Sequence, residues 1–200
     1  MKTIFFDVDT QLDFLYPAGA LAVPGAENIV ENLSKLTRYA AEHSYPIIST
    51  ADAHSEDDAE FKVWKPHCVR GTTGQQKCTP TLLNQRQTLT TAPDQNLASF
   101  REAPQIVVEK QMLDCFTNVN LRPLLSILSA ERYVVYGVVS EYCVRCAALG
   151  LLETGARVEL VVDAIKSLDE AAERALIDQF CTRGGLATTV SIVLEQVKRG

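Results

Sequence analysis

A chain of 200 residues, 46% apolar and 22% charged, is long enough to bury the core of one ordinary domain and has the composition of a soluble globular protein. A formal net charge of −6, with the 19 basic residues scattered and no basic stripe, argues against a nucleic-acid surface, and no apolar run approaches the ~20 residues that span a bilayer. The six cysteines are too sparse for a secreted disulfide scaffold, and Met1-Lys2-Thr3 leads straight into an apolar strand, so a single domain over residues 1–200 in the cytoplasm is expected, with neither nucleic acid nor membrane as partner.

Thr3 to Val8 is a short apolar run ending in Asp7 and Asp9, the pattern of a buried parallel strand whose carboxyl end delivers acids to a cleft. Asp13-Phe14 follow, and Gly19, Pro24 and Gly25 punctuate a loop. Ile29, Leu33, Leu36 and Ala40 then recur at helical spacing, which predicts a helix over residues 26–42 with His43 capping its end. A second strand, Pro46 to Thr50, ends in Ala51-Asp52-Ala53-His54. Residues 55–81, with four acids and Pro66, Gly71, Gly74 and Pro80, read as a long functional loop. Residues 84–103 read as irregular structure with at most a short helix.

Ile106 to Val108 is the third strand, ending at Glu109-Lys110, and Leu121 to Ser129 a helix. Arg132 to Val139 is β-branched and aromatic enough for a fourth strand, and Cys143 to Glu153 reads as the helix after it. Val158 to Val162, ending in Asp163, is the fifth. Ser167-x-x-Glu170 has capping-box spacing ahead of a helix that runs to Cys181 and stops at Gly184-Gly185, and Leu186 to Val193 closes the set as a sixth strand. Strands alternating with helices predict an α/β fold, three layers deep, with a central six-stranded, mainly parallel sheet and a cleft at the strands' carboxyl ends.

Read together, the strand ends supply a set. Asp9 follows the first strand, Asp52 and His54 the second, Lys110 the third and Cys143 the fourth. At a strand-to-helix junction, free N–H groups and the helix dipole favour a thiolate and can hold an oxyanion. A carboxylate and an ammonium converging on that thiol would serve as its base and its counter-charge. Each residue also has a plain structural role open to it: a buried small hydrophobe for Cys143, a cap for the aspartate, a solvated charge for the lysine. Asp52 and His54 share a face at i and i+2, and with His67 make a 2-His-1-carboxylate set suited to zinc, iron or manganese; otherwise the histidines hydrogen-bond loop backbone. Cys143 and Cys146 form a lone C-x-x-C, so a reversible disulfide is an open alternative.

Six stretches together are identified as a resemblance to the isochorismatase-like cysteine hydrolases, and within them to the nicotinamide-cleaving members. They are Val8-Asp9-Thr10-Gln11-Leu12-Asp13-Phe14, Val23-Pro24-Gly25-Ala26, Thr50-Ala51-Asp52-Ala53-His54, the stretch Trp64-Lys65-Pro66-His67-Cys68-Val69-Arg70-Gly71-Thr72 with Gly74, Glu109-Lys110, and Gly137-Val138-Val139-Ser140-Glu141-Tyr142-Cys143-Val144. They occur in the family's order from residue 3 to about 193. The resemblance implies a catalytic triad of Asp9, Lys110 and Cys143, and a divalent metal, zinc first, on Asp52, His54 and His67, with Glu60 as a further candidate ligand. It implies an oxyanion hole at Val139 and Cys143 after a cis Val138–Val139 peptide, and substrate-facing aromatics at Phe14, Trp64 and Tyr142.

The activity so implied is hydrolysis of nicotinamide through a thioester on Cys143, by a homo-oligomer whose partner is a small amide. Another carbamoyl or amide substrate, or a non-catalytic binding module of the same fold, are the alternatives. Two departures touch the pocket: Asp114-Cys115-Phe116-Thr117-Asn118 stands where a Ser/Gly-Ala-Phe element is usual, and the acid-rich loop before Trp64 lacks the usual His-x-Ser-Phe.

Overall fold

In the computed structural model, residues 1–195 are described and form one parallel sheet with helices on both faces. The strands are β1 (Thr3–Val8), β2 (Ile47–Asp52), β3 (Gln87–Leu89), β4 (Gln105–Lys110), β5 (Arg132–Val138), β6 (Arg157–Lys166) and β7 (Leu186–Thr188). Their spatial order is β3-β4-β2-β1-β5-β6-β7, every pairing parallel. Among the described residues no helix is long and apolar enough to cross a membrane.

The helices are α1 (Leu12–Leu15), α2 (Val30–Glu42), α3 (Leu121–Leu128), α4 (Arg145–Leu152), α5 (Glu170–Thr182) and α6 (Val190–Glu195). Period-two alternation in the strands splits the core. Ile4, Phe6, Tyr133 and Val135 face a cluster with Leu124 of α3, Ala148 of α4 and Phe180 of α5. Phe5, Val134 and Tyr136 face the opposite cluster, with Leu33 and Leu36 of α2 and Val193 of α6. The central strands β1, β2 and β5 are buried on both sides, which explains their apolar runs.

The sheet has seven strands where six were expected. The additional one, β3, is three residues long at the edge, with only Leu89 buried, too short and polar to show a period. The strand expected over Leu186 to Val193 ends at Thr188, and α6 follows it. The Asp163 carboxylate, on the bulged part of β6, accepts the backbone N–H of Val190 at 2.8 Å and so holds the first turn of that helix. The fifth strand runs past Asp163 to Lys166, since a register shift against β5 lets pairing resume. A π-helical turn, Ser140–Val144, stands between β5 and α4, so Cys143 lies in that turn and not in the first turn of an α-helix. His43 does bond the Tyr39 carbonyl, at 2.9 Å, at the end of α2.

From β1 the chain moves outward to β2 and β4 on one side and then crosses to β5 on the other, so β1 borders the point where the winding reverses. Ligand clefts form there, at the carboxyl ends of the strands. Gly137 makes the junction possible: it pairs with Val8, adopts φ 123°, and a Cβ at this position would overlap the Val8 carbonyl. Gly137→Ala is therefore expected to lower stability by about 2–4 kcal/mol in urea denaturation, combining left-handed strain with overpacking.

Candidate active site

Asp9 follows β1, Asp52 and Lys110 end the paired strands β2 and β4 as register partners, and Cys143 stands in the turn after β5. The three residues expected to meet do meet. The Lys110 ammonium lies 2.9 Å from Asp9 Oδ2 and 3.5 Å from Cys143 Sγ. A third partner was not expected: Asp52 Oδ1, 2.5 Å from the same nitrogen. Lys110, Asp9 and Asp52 are all at most 3% exposed, so a lysine that composition would place in solvent is wholly committed to two carboxylates and a thiol.

Burial sets the proton affinities. It raises the Asp9 carboxyl above the ordinary range despite the pull of Lys110. Burial also opposes ionisation of Asp52, but Lys110 and the two imidazoles outweigh it and hold this carboxyl far below the usual range. The Cys143 thiol goes the other way from the thiolate expected at a helix N-terminus: burial pushes it well above its ordinary value, against the attraction of Lys110 and with Asp9 adding to the rise. A neutral thiol beside a carboxyl of raised proton affinity is a pair between which a proton can pass.

Asp52 faces the histidines with its other oxygen. Oδ2 is 3.8 Å from Nε2 of both His54 and His67, and one donor atom from each of the three residues falls within a 4.8 Å cluster. His54 Nδ1 bonds Asp58 Oδ2 at 3.0 Å and His67 Nδ1 the Lys65 carbonyl at 2.7 Å, which turns both Nε2 atoms inward toward Asp52. His54 Nε2 is buried without a hydrogen-bond partner. An orphaned nitrogen, a second imidazole and an ionised carboxylate are a donor set that fits a divalent cation. Glu60 falls outside this cluster and lines the adjoining pocket.

That pocket opens over Cys143. Phe14, Trp64 and Tyr142 line it as expected, the last two meeting edge to face at 5.3 Å between centroids. Leu21, Val23, Leu113 and Leu168 complete the apolar wall; Leu168, 46% exposed, forms its rim. Val139 also lines it, and the Val138–Val139 peptide is cis. Leu21 and Val23 come from a segment read as a loop, where no periodicity marks a wall residue.

Three side chains, Gln11 and Asp13 buried and Asp58 half-buried, hold the site, and reasoning about reactive groups passed over them. Gln11 clasps the Asp52 backbone, accepting its N–H at 2.7 Å and donating to its carbonyl at 2.9 Å. Asp13 Oδ2 accepts the Cys68 N–H at 2.7 Å, fixing the residue after His67, and Gly74 is required because a Cβ there would overlap that carboxylate. Asp58 orients His54. The one signal is the run Asp9-x-Gln11-x-Asp13, polar residues directly after a buried strand, which names no role for them.

A family model described as the isochorismatase domain matches residues 3–191. Nicotinamidase of Saccharomyces cerevisiae (strain ATCC 204508 / S288c) is 22% identical over 201 residues, covering 86% of this chain and 91% of that one. Among solved structures, the pyrazinamidase of Pyrococcus horikoshii in complex with zinc is similar with a TM-score of 0.80 at 26% identity, over 94% of this chain and 99% of that one. The N-carbamoylsarcosine amidase from Thermoplasma acidophilum shares the fold with a TM-score of 0.74 at 23% identity, over 95% and 97% of the two chains.

Because Lys110 neutralises two buried carboxylates, Lys110→Met is expected to cost about 3–5 kcal/mol of unfolding free energy, read from the urea midpoint. A loss below about 1 kcal/mol would mean that the carboxylates find other partners or solvent.

Proposed function

The chain belongs to the isochorismatase domain family, and from that premise we propose that this hydrolase cleaves a small neutral amide, nicotinamide first, through a thioester on Cys143. The observation that carries the reading is the meeting of Cys143 Sγ, Lys110 Nζ and Asp9 Oδ2 beneath an apolar, aromatic pocket. The likeness to a nicotinamidase and to a zinc-bound pyrazinamidase supports the substrate class. So does the lining itself: its ionisable groups include Asp52 and Glu60 but no arginine or lysine, which disfavours a substrate that carries its own carboxylate.

In the proposed reaction Asp9 Oδ2 takes the thiol proton as Cys143 Sγ bonds to the carboxamide carbon. The carbonyl electrons move to oxygen, where the N–H groups of Val139 and Cys143 hold the charge; one such donor is typically worth ~3 kcal/mol. Asp9 passes its proton to the amide nitrogen, the C–N bond breaks and ammonia leaves a thioester. Water then gives a proton to Asp9 and its oxygen to the acyl carbon; the C–S bond breaks, and Asp9 returns the proton to sulfur. Lys110 stays charged throughout, stabilising whichever of its neighbours is anionic.

Asp52, His54 and His67 would hold a divalent metal, zinc by preference. When bound, it supplies a Lewis-acidic anchor for a substrate ring nitrogen, which orients the amide over Cys143. Phe14 and Trp64 confine the ring.

Two measurements test the reading. Cys143→Ala is expected to reduce ammonia release from nicotinamide by at least about 10³-fold while calorimetry still detects nicotinamide binding; full turnover by that variant ends the thioester mechanism. Asp58→Ala, which frees the His54 ring, is expected to weaken metal affinity about 10- to 100-fold in competition with a chromophoric chelator. Unchanged affinity would dissociate Asp58 from the metal site.

A further inference from the structure

Thr50, fully buried on β2, contacts Asp9 twice through a single oxygen. Its hydroxyl donates to Asp9 Oδ1 at 2.6 Å and accepts the Asp9 backbone N–H at 3.2 Å. A hydroxyl, with one proton and two lone pairs, can do both at once; an apolar side chain of the same size can do neither. Asp9 itself sits at φ 48°, a left-handed conformation that a residue other than glycine keeps only where its surroundings hold it.

Thr50 is fixed in turn from the other side. Lys77, 6% exposed, donates to the Thr50 carbonyl at 3.0 Å and pairs with Asp7 Oδ2 at 3.1 Å. Asp7 also accepts from Thr10 Oγ1 and Ser49 Oγ, each at 2.9 Å. This second buried ammonium–carboxylate pair touches no pocket-lining atom named in the reaction, yet it grips the residue that grips Asp9.

We propose, on the reading that Asp9 is the acid–base group, that Thr50 is a positioning residue that gives the two oxygens of Asp9 different tasks. The Thr50 proton points at Oδ1 because its lone pair is taken by the Asp9 N–H. A proton arriving on Oδ1 would meet that proton head-on, so Oδ1 remains an acceptor throughout. Oδ2, beside Lys110, is the atom that receives the thiol proton and hands it to the leaving nitrogen. The Lys77–Asp7 pair keeps Thr50 in register for this.

The test compares Thr50→Val, Thr50→Ser and Asp9→Asn in the full chain by circular dichroism, by kcat and KM on nicotinamide, and by the rate at which iodoacetamide alkylates Cys143, read peptide by peptide in a mass spectrometer. Alkylation reports on the thiol whatever the true amide is. Thr50→Val is expected to lower kcat about 10- to 100-fold with KM changed less than about twofold, and to slow alkylation by a similar factor. Thr50→Ser, which keeps both hydrogen bonds, is expected to stay within about threefold of the parent on both readouts. A Val variant as fast as the parent, a Ser variant as impaired as Val, or a Val variant that does not fold would each overturn the assignment, the last by giving the hydroxyl to the fold. Undiminished alkylation and turnover in Asp9→Asn would remove the acid–base reading itself, an outcome distinct from failure at Thr50.

Discussion

One buried ammonium organises this molecule. Lys110 lies between Asp9 and Asp52 with the Cys143 sulfur at its third side, and withdrawing the lysine would leave carboxylate charge stranded away from water. The carboxyl ends of β1, β2 and β4 and the turn after β5 are thus joined by charge as well as by the backbone ladder. The arrangement also separates two carboxyls by environment. Asp52, drawn down by Lys110 and two imidazoles against burial, stays an anion turned toward a cation site; Asp9, raised by burial, can exchange a proton with sulfur.

Around this polar floor the rest of the site is built from support. Gln11, Asp13 and Thr50 are buried polar side chains: Gln11 bonds the Asp52 backbone, Asp13 the Cys68 N–H beside His67, and Thr50 the Asp9 carboxylate. Above them the pocket is aliphatic and aromatic, a surrounding of low polarity that strengthens the charge interactions below. The strand order brings these parts together: β1 lies between β2 and β5, so a loop from each side closes over one cleft.

Much of this was legible in one dimension. Apolar runs of three to eight residues located the long strands to within a few positions, because central parallel strands are buried on both faces. Acids, histidines and a lysine at strand ends were readable as a site for the same reason: a parallel sheet collects its carboxyl ends on one edge. Failures had physical causes too. β3 is short and lies at an edge, α6 begins in a β-branched run that favours a strand locally, and the bulge in β6 hides beneath an aspartate that looks like an ending. A strand-to-helix junction at Cys143 is visible in sequence; the depth at which the thiol is buried is not.

By itself the amino-acid order determined the α/β class, the parallel sheet and the identities of the candidate reactive groups, since periodicity and residue chemistry are local properties. Only the tertiary structure decided that Lys110 bridges both acids, that Asp52 turns one oxygen to the lysine and the other to the histidines, that Glu60 belongs to the pocket wall, and that Thr50 clamps Asp9. Those are distances between residues up to about 100 positions apart in the chain, as Asp9 and Lys110 are, set by packing of the whole sheet, and no window of sequence contains them.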